Sequence, residues 1–226
     1  MLRLSTLVIV LLAVAPGAAL TQTSDAAVDR TGERIVLPDA EEISLARSAA
    51  PPAVSAEATV LVYRPGIGYE VGHEGANGVT CFVDRSRVTS FEPQCFDREG
   101  SETILQVRLL EARLREEGRS EDDVQAAVDS GIRSGELRLP SRPVMTYMMS
   151  SGQVLISDDG RNVGAWKPHL MIYVPYLTAD ALGLGDTPST RAAVVVNEGT
   201  ALANIMIVVE EFVDPSEFAP DAGGQR

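Results

Sequence analysis

Positive charge is scarce in this sequence. The 19 Lys and Arg residues face 32 Asp and Glu, leaving a formal net charge of −13 over 226 residues, and a field of that sign repels phosphate backbones and anionic lipid. Nucleic acid and membrane surfaces are therefore excluded as expected partners. Lysine is nearly missing, with Lys167 the single one among otherwise arginine side chains; a G+C-rich genome accounts for that bias better than recognition chemistry does. Cys81 and Cys95 are the only cysteines. Their spacing suits neither a zinc ligand set nor a dithiol with two intervening residues. There is no Gly-rich phosphate loop and no calcium loop, so no cofactor is implied.

What is present begins with an address. One positive charge, Arg3, precedes an apolar run from Leu4 to Val14, and Pro16-Gly17 and small residues follow up to Leu20. The run is shorter than the ~20 residues that span a bilayer. This predicts a secretory signal peptide over 1–19 with cleavage near Ala19, and no cysteine near the junction to carry a lipid. The mature chain is expected to be exported, periplasmic or extracellular, with no membrane association after cleavage. In such an oxidising compartment Cys81 and Cys95 are expected to pair. Closing a loop of ~15 residues stabilises the fold by about 3 kcal/mol on the chain-entropy model.

Residues 20–57 are rich in Ala, Ser, Asp and Pro with little periodicity, which predicts a flexible leader. A short helix is expected within it, capped by Asp39, with Glu41 and Glu42 in its first turn and Pro51-Pro52 ending it. A globular domain follows over 58–213. Strands are expected at Thr59–Tyr63, Gly68–Val71 and Val79–Val83, the last two joined as a hairpin by Asn77-Gly78. Between Glu102 and Glu117 the period changes: Ile104, Leu105, Val107, Leu109, Leu110 and Leu114 form an apolar face while Arg108, Arg113 and Arg115 stay polar. Gly118 closes that helix, and Ser120 with Asp123 opens a second one through Val124, Val128 and Ile132. Strands resume after Pro143. The order predicts a single α+β domain, a mostly antiparallel sheet with an inserted amphipathic helical hairpin. Residues 214–226, acidic and Gly-rich, are expected to be a disordered tail.

Five short pieces, "LARSAAPPAV", "EGANGVTCFV", "PQCFD", "PHLMIYVP" and "EGTALANIMIVV", together resemble a family of exported bacterial proteins of no known activity. The resemblance implies secretion and this order of elements, and no reaction. Its last piece carries histidine where this chain has Asn204, so an imidazole role at that position does not transfer here.

His169 opens "HLMIYV", which matches "NIMIVV" from Asn204 in its Met, Ile and final Val. The two are expected to pair as core strands. By alternation His169, Met171 and Tyr173 share one face, and Ile172 is expected to point into packed surroundings on the other. His169 then either caps a strand end, its ring bonded to a backbone carbonyl, or acts as a general base or ligand at a pocket mouth. His73 sits in a hairpin loop, where an exposed surface histidine is the expectation. A hydrolase using His169 would need a nucleophile, and Ser150 and Ser151 are the candidates; "MSSGQ" lacks the Gly-x-Ser-x-Gly elbow and reads equally as a turn. A third function class is soft-metal binding. Met145, Met148, Met171 and Met206 with His169 are sulfur and imidazole donors suited to copper(I), although methionine is also an adaptable core filler. The leading expectation is a non-enzymatic exported binding or interaction domain with a protein or small-molecule ligand.

Overall fold

Val60, Val62 and Tyr63 draw the first strand, Thr59–Arg64 (β1), into the interior, where all three are buried. The computed structural model describes residues 35–85, 90–156, 162–164, 166–183 and 193–218. The expected signal peptide at 1–19 lies outside them. After β1 come Gly68–His73 (β2), Thr80–Asp84 (β3), Glu92–Phe96 (β4), Val144–Met148 (β5), Leu155–Ile156 (β6), Asn162–Gly164 (β7), His169–Tyr173 (β8), Ala193–Val196 (β9) and Asn204–Val208 (β10). Eight of them form one sheet in the order β2-β1-β3-β4-β5-β8-β10-β9, and β6 pairs with β7 separately. All neighbours in the large sheet are antiparallel except β1 and β3. The fold is α+β.

That parallel pair corrects the expected hairpin. Thr80 and Cys81 align with Thr59 and Val60, so β3 lies on the far side of β1 from β2. The connection does not turn back on β2 because its polar groups bind elsewhere. Asn77 Oδ1 accepts from the Val79 amide at 2.9 Å, and Asn77 Nδ2 donates to the Val54 carbonyl at 2.7 Å. Gly75 lies against the backbone at Ala58 and Thr59, where any side chain would collide. The connection can therefore cross the start of β1 only with glycine there.

Helices cover both faces of the sheet. Asp39–Arg47 (α1) lies on one face, packing Leu45, Ala46 and Ala49 against Val60, Cys81, Val83 and Cys95; Pro52–Ser55 (α2) follows. The short Arg98–Glu102 (α3) leads into Ile104–Glu116 (α4) and Glu121–Ser134 (α5) on the other face. There Ile104 and Leu105 meet Phe82, Phe96, Val144 and Tyr173, and Val107 meets Val128. Ser120 caps α5 as expected, accepting from the Asp123 amide at 3.2 Å. Among the described residues no helix is long and apolar enough to cross a membrane.

The flexible leader expected over 20–57 is corrected for residues 35–57. Ala46, Ala49 and Ala50 are fully buried, and small side chains are what allow a helix to approach a sheet closely. Asp39 is the first helical residue rather than the cap, which is Pro38; its carboxylate takes both ends of the Arg64 guanidinium at 2.7 Å. The decisive residue is Glu42, which carries a buried ion pair: Arg85 Nη1 donates to its Oε1 at 2.7 Å, and the Tyr63 amide donates to the same oxygen at 3.0 Å. The Tyr63 and Phe91 rings flank Arg85, their centroids 5.0 and 5.2 Å from its guanidinium carbon. The tail expected from 214 is likewise corrected for 214–218. Val213 bonds to Met149 and Ser151, and a 3-10 turn over Pro215–Phe218 returns to Ser44 of α1.

Cys81 and Cys95 form the expected disulfide, directly opposite each other on β3 and β4 with Cα atoms 4.0 Å apart. Mass spectrometry of unreduced protein is expected to show that link. Replacing both cysteines by alanine should lower stability by about 3 kcal/mol in a urea titration; free thiols in periplasm-purified protein would contradict the pairing. Glu42→Ala should cost more, roughly 3–5 kcal/mol, because it strands a buried Arg85 cation. A loss below about 1 kcal/mol, the level of a surface pair, would remove α1 from the cooperative unit.

Candidate functional site

Strands β5, β8 and β10 are neighbours, and their register decides which side chains meet. Met148 lies opposite His169, and Met171 lies opposite both Thr146 and Met206. Alternation puts Met148, His169, Met171 and Met206 on the α4 face. Asp84 opposite Glu92, and Phe82 opposite Gln94, continue that face across β3 and β4. All but Thr146 and Phe82 line one cavity of about 230 Å³, roofed by Arg108, Glu111 and Arg115 of α4, with Trp166 also on its wall.

His169 is 3% exposed, and its Nδ1 lies 2.7 Å from the Lys167 carbonyl. A carbonyl only accepts, so Nδ1 carries the proton and Nε2 keeps its lone pair in the neutral ring. Burial pushes the imidazole below its ordinary value of 6.5, against the opposing effect of the Lys167 bond. The strand-start role expected for His169 is thus present, and it leaves one ring nitrogen uncommitted. The Trp166 indole, 48% exposed, meets the ring edge to face with centroids 6.4 Å apart.

Both roof arginines are held by carboxylates. Arg108 Nη1 donates to Glu111 Oε2 at 2.8 Å, and Arg115 Nε donates to Glu121 Oε1 at 2.9 Å. Arg108 Nη2 also donates to the Tyr173 hydroxyl at 2.9 Å, and that hydroxyl donates to the Met171 sulfur at 3.7 Å. Among the described residues Asp84 has no such partner. Its Oδ1 is buried without a hydrogen bond, as is Gln94 Oε1, and only a long 3.4 Å contact joins Gln94 Nε2 to Asp84 Oδ2. Burial first, and Glu92 second, push the Asp84 carboxyl up to about 7.

The remaining candidates fall elsewhere. Ser150 is 1% exposed and its Oγ lies 2.6 Å from Ser48 Oγ beyond α1, while the Gly152 amide also donates to it. Ser151 is exposed. Neither serine is brought to His169. Met145 lies opposite Ile172 on the other sheet face, so it stands apart from the other three methionines. Ile172 is only half-buried, whereas Tyr173 and His169 are the packed members of β8; α1 packs mainly on the β1–β4 half of its face. His73 is exposed at the end of β2, as expected. Asn204 is 2% exposed beside Tyr173, with Oδ1 unpartnered. A larger cleft, about 660 Å³, lies between β2 and the helix pair, but its wall is mainly Leu109, Leu110, Leu114 and Leu137 with Arg113 and Glu136.

Asp84, Glu92, Gln94 and the α4 trio were not legible as site residues in the sequence. The only available signal was the charged end of each apolar strand, "TCFVD" and "EPQCF". Comparison with family models, curated proteins and solved structures finds no match.

The Asp84 carboxyl makes stability depend on pH. Its folded value of about 7 exceeds the ordinary 3.8, so the native state binds more protons in between, and stability falls as pH rises through that window. At about 1.4 kcal/mol per unit, the loss is on the order of 4 kcal/mol. His169 acts oppositely, destabilising the fold as pH drops below 6.5. Asp84→Asn should therefore gain on the wild type between pH 4 and pH 8, with Glu92, Arg108, Glu111 and Arg115 unchanged around it. Parallel stability profiles for the two proteins would contradict a carboxyl held neutral by the fold.

Proposed function

We propose that this chain is a non-enzymatic exported binding domain, and that its ligand is a small cationic group entering the cavity between α4 and strands β3, β4, β5, β8 and β10. The observation that carries this is the pair of buried acceptor oxygens, Asp84 Oδ1 and Gln94 Oε1, left without partners beside the uncommitted His169 Nε2 and three thioether sulfurs. Acceptor atoms buried without donors are costly, and a donor or cation offsets that cost. Export is supported by the disulfide, which persists in oxidising compartments. The net charge of −13 favours a cationic ligand over nucleic acid or anionic lipid. A hydrolase centred on His169 is the weaker alternative, because the Ser150 hydroxyl is engaged by Ser48.

Trp166 is the single tryptophan and lies on the cavity wall, so its emission reports on that site alone. Titration of the folded full chain with silver(I), zinc(II), calcium(II) and spermidine is expected to give a saturable emission change with at least one of them. Hydrolysis of p-nitrophenyl acetate should be the same in wild type and His169→Ala. Failure of all four cations to saturate the signal, or ester turnover that His169→Ala abolishes, would overturn the proposal.

A further inference from the structure

We propose that the cavity is a copper(I) site, with Met171 and one of the flanking Met148 and Met206 as thioether ligands and His169 Nε2 as the nitrogen ligand. This rests on the binding function proposed above and names its ligand.

The placement of the donors is the first support. Met148 and His169 are direct cross-strand neighbours, as are Met171 and Met206, while His169 and Met171 follow each other on one face of β8. Cross-strand neighbours have Cβ atoms roughly 5 Å apart, and alternate residues on a strand are about 7 Å apart. His169 and Met171 with one flanking methionine thus occupy a patch that one ion can bridge, and the methionines are unbranched and flexible enough to converge on it; Met148 and Met206, about 12 Å apart across two strands, serve as alternatives. All four line the same cavity. Methionine used only as filler has no reason to collect around a histidine in this way, and Met145 on the opposite face shows the same strand carrying methionine without such company.

The second support is how the donors are held. A ligating histidine commonly donates its other ring N–H to a backbone carbonyl, which fixes the tautomer and orients the ring. His169 already does so toward Lys167. Tyr173 holds the Met171 sulfur and is itself held by Arg108. The sulfur is therefore positioned before any ion arrives. Asp84 and Gln94 add unpartnered buried side-chain oxygens to the same wall, polar groups that a cation or a donor can satisfy without their being required as ligands.

The choice of metal follows from softness. Thioether and imidazole donors select copper(I), whereas calcium and magnesium require oxygen ligands and structural zinc is held by thiolate, imidazole and carboxylate. Trp166 sets an indole beside His169 at the exposed end of the site, where an aromatic face attracts a cation and limits water access.

The test is anaerobic competition of the full-length chain against the copper(I)–bicinchoninate complex. Wild type is expected to withdraw one equivalent of copper(I), with quenching of Trp166 emission and an X-ray absorption spectrum showing sulfur and nitrogen neighbours. Met171→Leu with Met206→Leu conserves volume and should keep the native circular dichroism and the disulfide. Its affinity should fall by more than the roughly 10–100-fold that loss of an outer-sphere partner costs. Met145→Leu should match wild type. No withdrawal of copper(I), or equal withdrawal by wild type and the folded double variant, overturns the site. Saturation by zinc, calcium or spermidine without copper(I) uptake overturns the metal assignment and leaves the binding function standing. Silence toward every probe removes both.

Discussion

The Glu42 carboxylate joins three parts of the chain that are distant in sequence: it lies on α1, accepts from the amide of Tyr63 in β1, and binds the guanidinium of Arg85 just beyond β3. Both charged side chains are at most 1% exposed, so each depends on the other to offset a large desolvation penalty. The pair fixes α1 on the sheet and fixes the end of β3 as well. Asp84 precedes Arg85 and its side chain lies on the α4 face, opposite Arg85. An arginine anchored under α1 therefore sets where a carboxyl is presented to the cavity on the far side. The N-terminal segment and the site are mechanically one object.

That dependence is also where the sequence was hardest to interpret. The stretch around "LARSAAPPAV" carries the composition of a linker, since Ala, Ser and Pro contribute little to a hydrophobic count. Yet Ala46, Ala49 and Ala50 are buried because small residues allow close approach, and Glu42 is buried because a partner 43 positions away neutralises it. Neither fact has a local signature. The pairing of "HLMIYV" with "NIMIVV" was legible, since two matching strand patterns imply a shared environment, and the structure pairs them residue for residue. The disulfide was legible because a chain with two cysteines leaves only one intramolecular pairing. The Asn77-Gly78 turn misled because its dihedral preference is local, whereas the direction of the chain after it is set by the Asn77 side chain bonding to Val54.

The helix α4 illustrates a second limit. Its apolar face was correctly located, and Ile104, Leu105 and Val107 are buried. Arg108, read as part of the polar side, reaches the Tyr173 hydroxyl on the sheet, and Glu111, which that reading did not single out, is 8% exposed. A helix lying over a wide sheet presents more than its apolar stripe to it. Whether the margin is dry or polar depends on what the sheet offers there, which periodicity does not encode.

Both faces of the sheet keep buried polar atoms without partners, and the two sets differ in kind. On the α1 side the hydroxyls of Ser48 and Ser55 are bonded, and the unpartnered atoms, Glu42 Oε2, Arg47 Nε and Arg85 Nη2, belong to charged side chains that each bond through another atom. On the α4 face, Asp84, Gln94, Thr146 and Asn204 each keep a buried side-chain oxygen without a partner, spread over β3, β4, β5 and β10. Buried polar groups are bonded in the great majority of cases, and concentrated exceptions mark places where stability yields to another constraint. Thr146 and Met206 both lie opposite Met171, so Thr146 is an exception that sits directly beside the thioether donors. Aliphatic side chains in those four positions would leave no unbonded oxygen there, so the polar lining of the α4 face is held at a cost in stability.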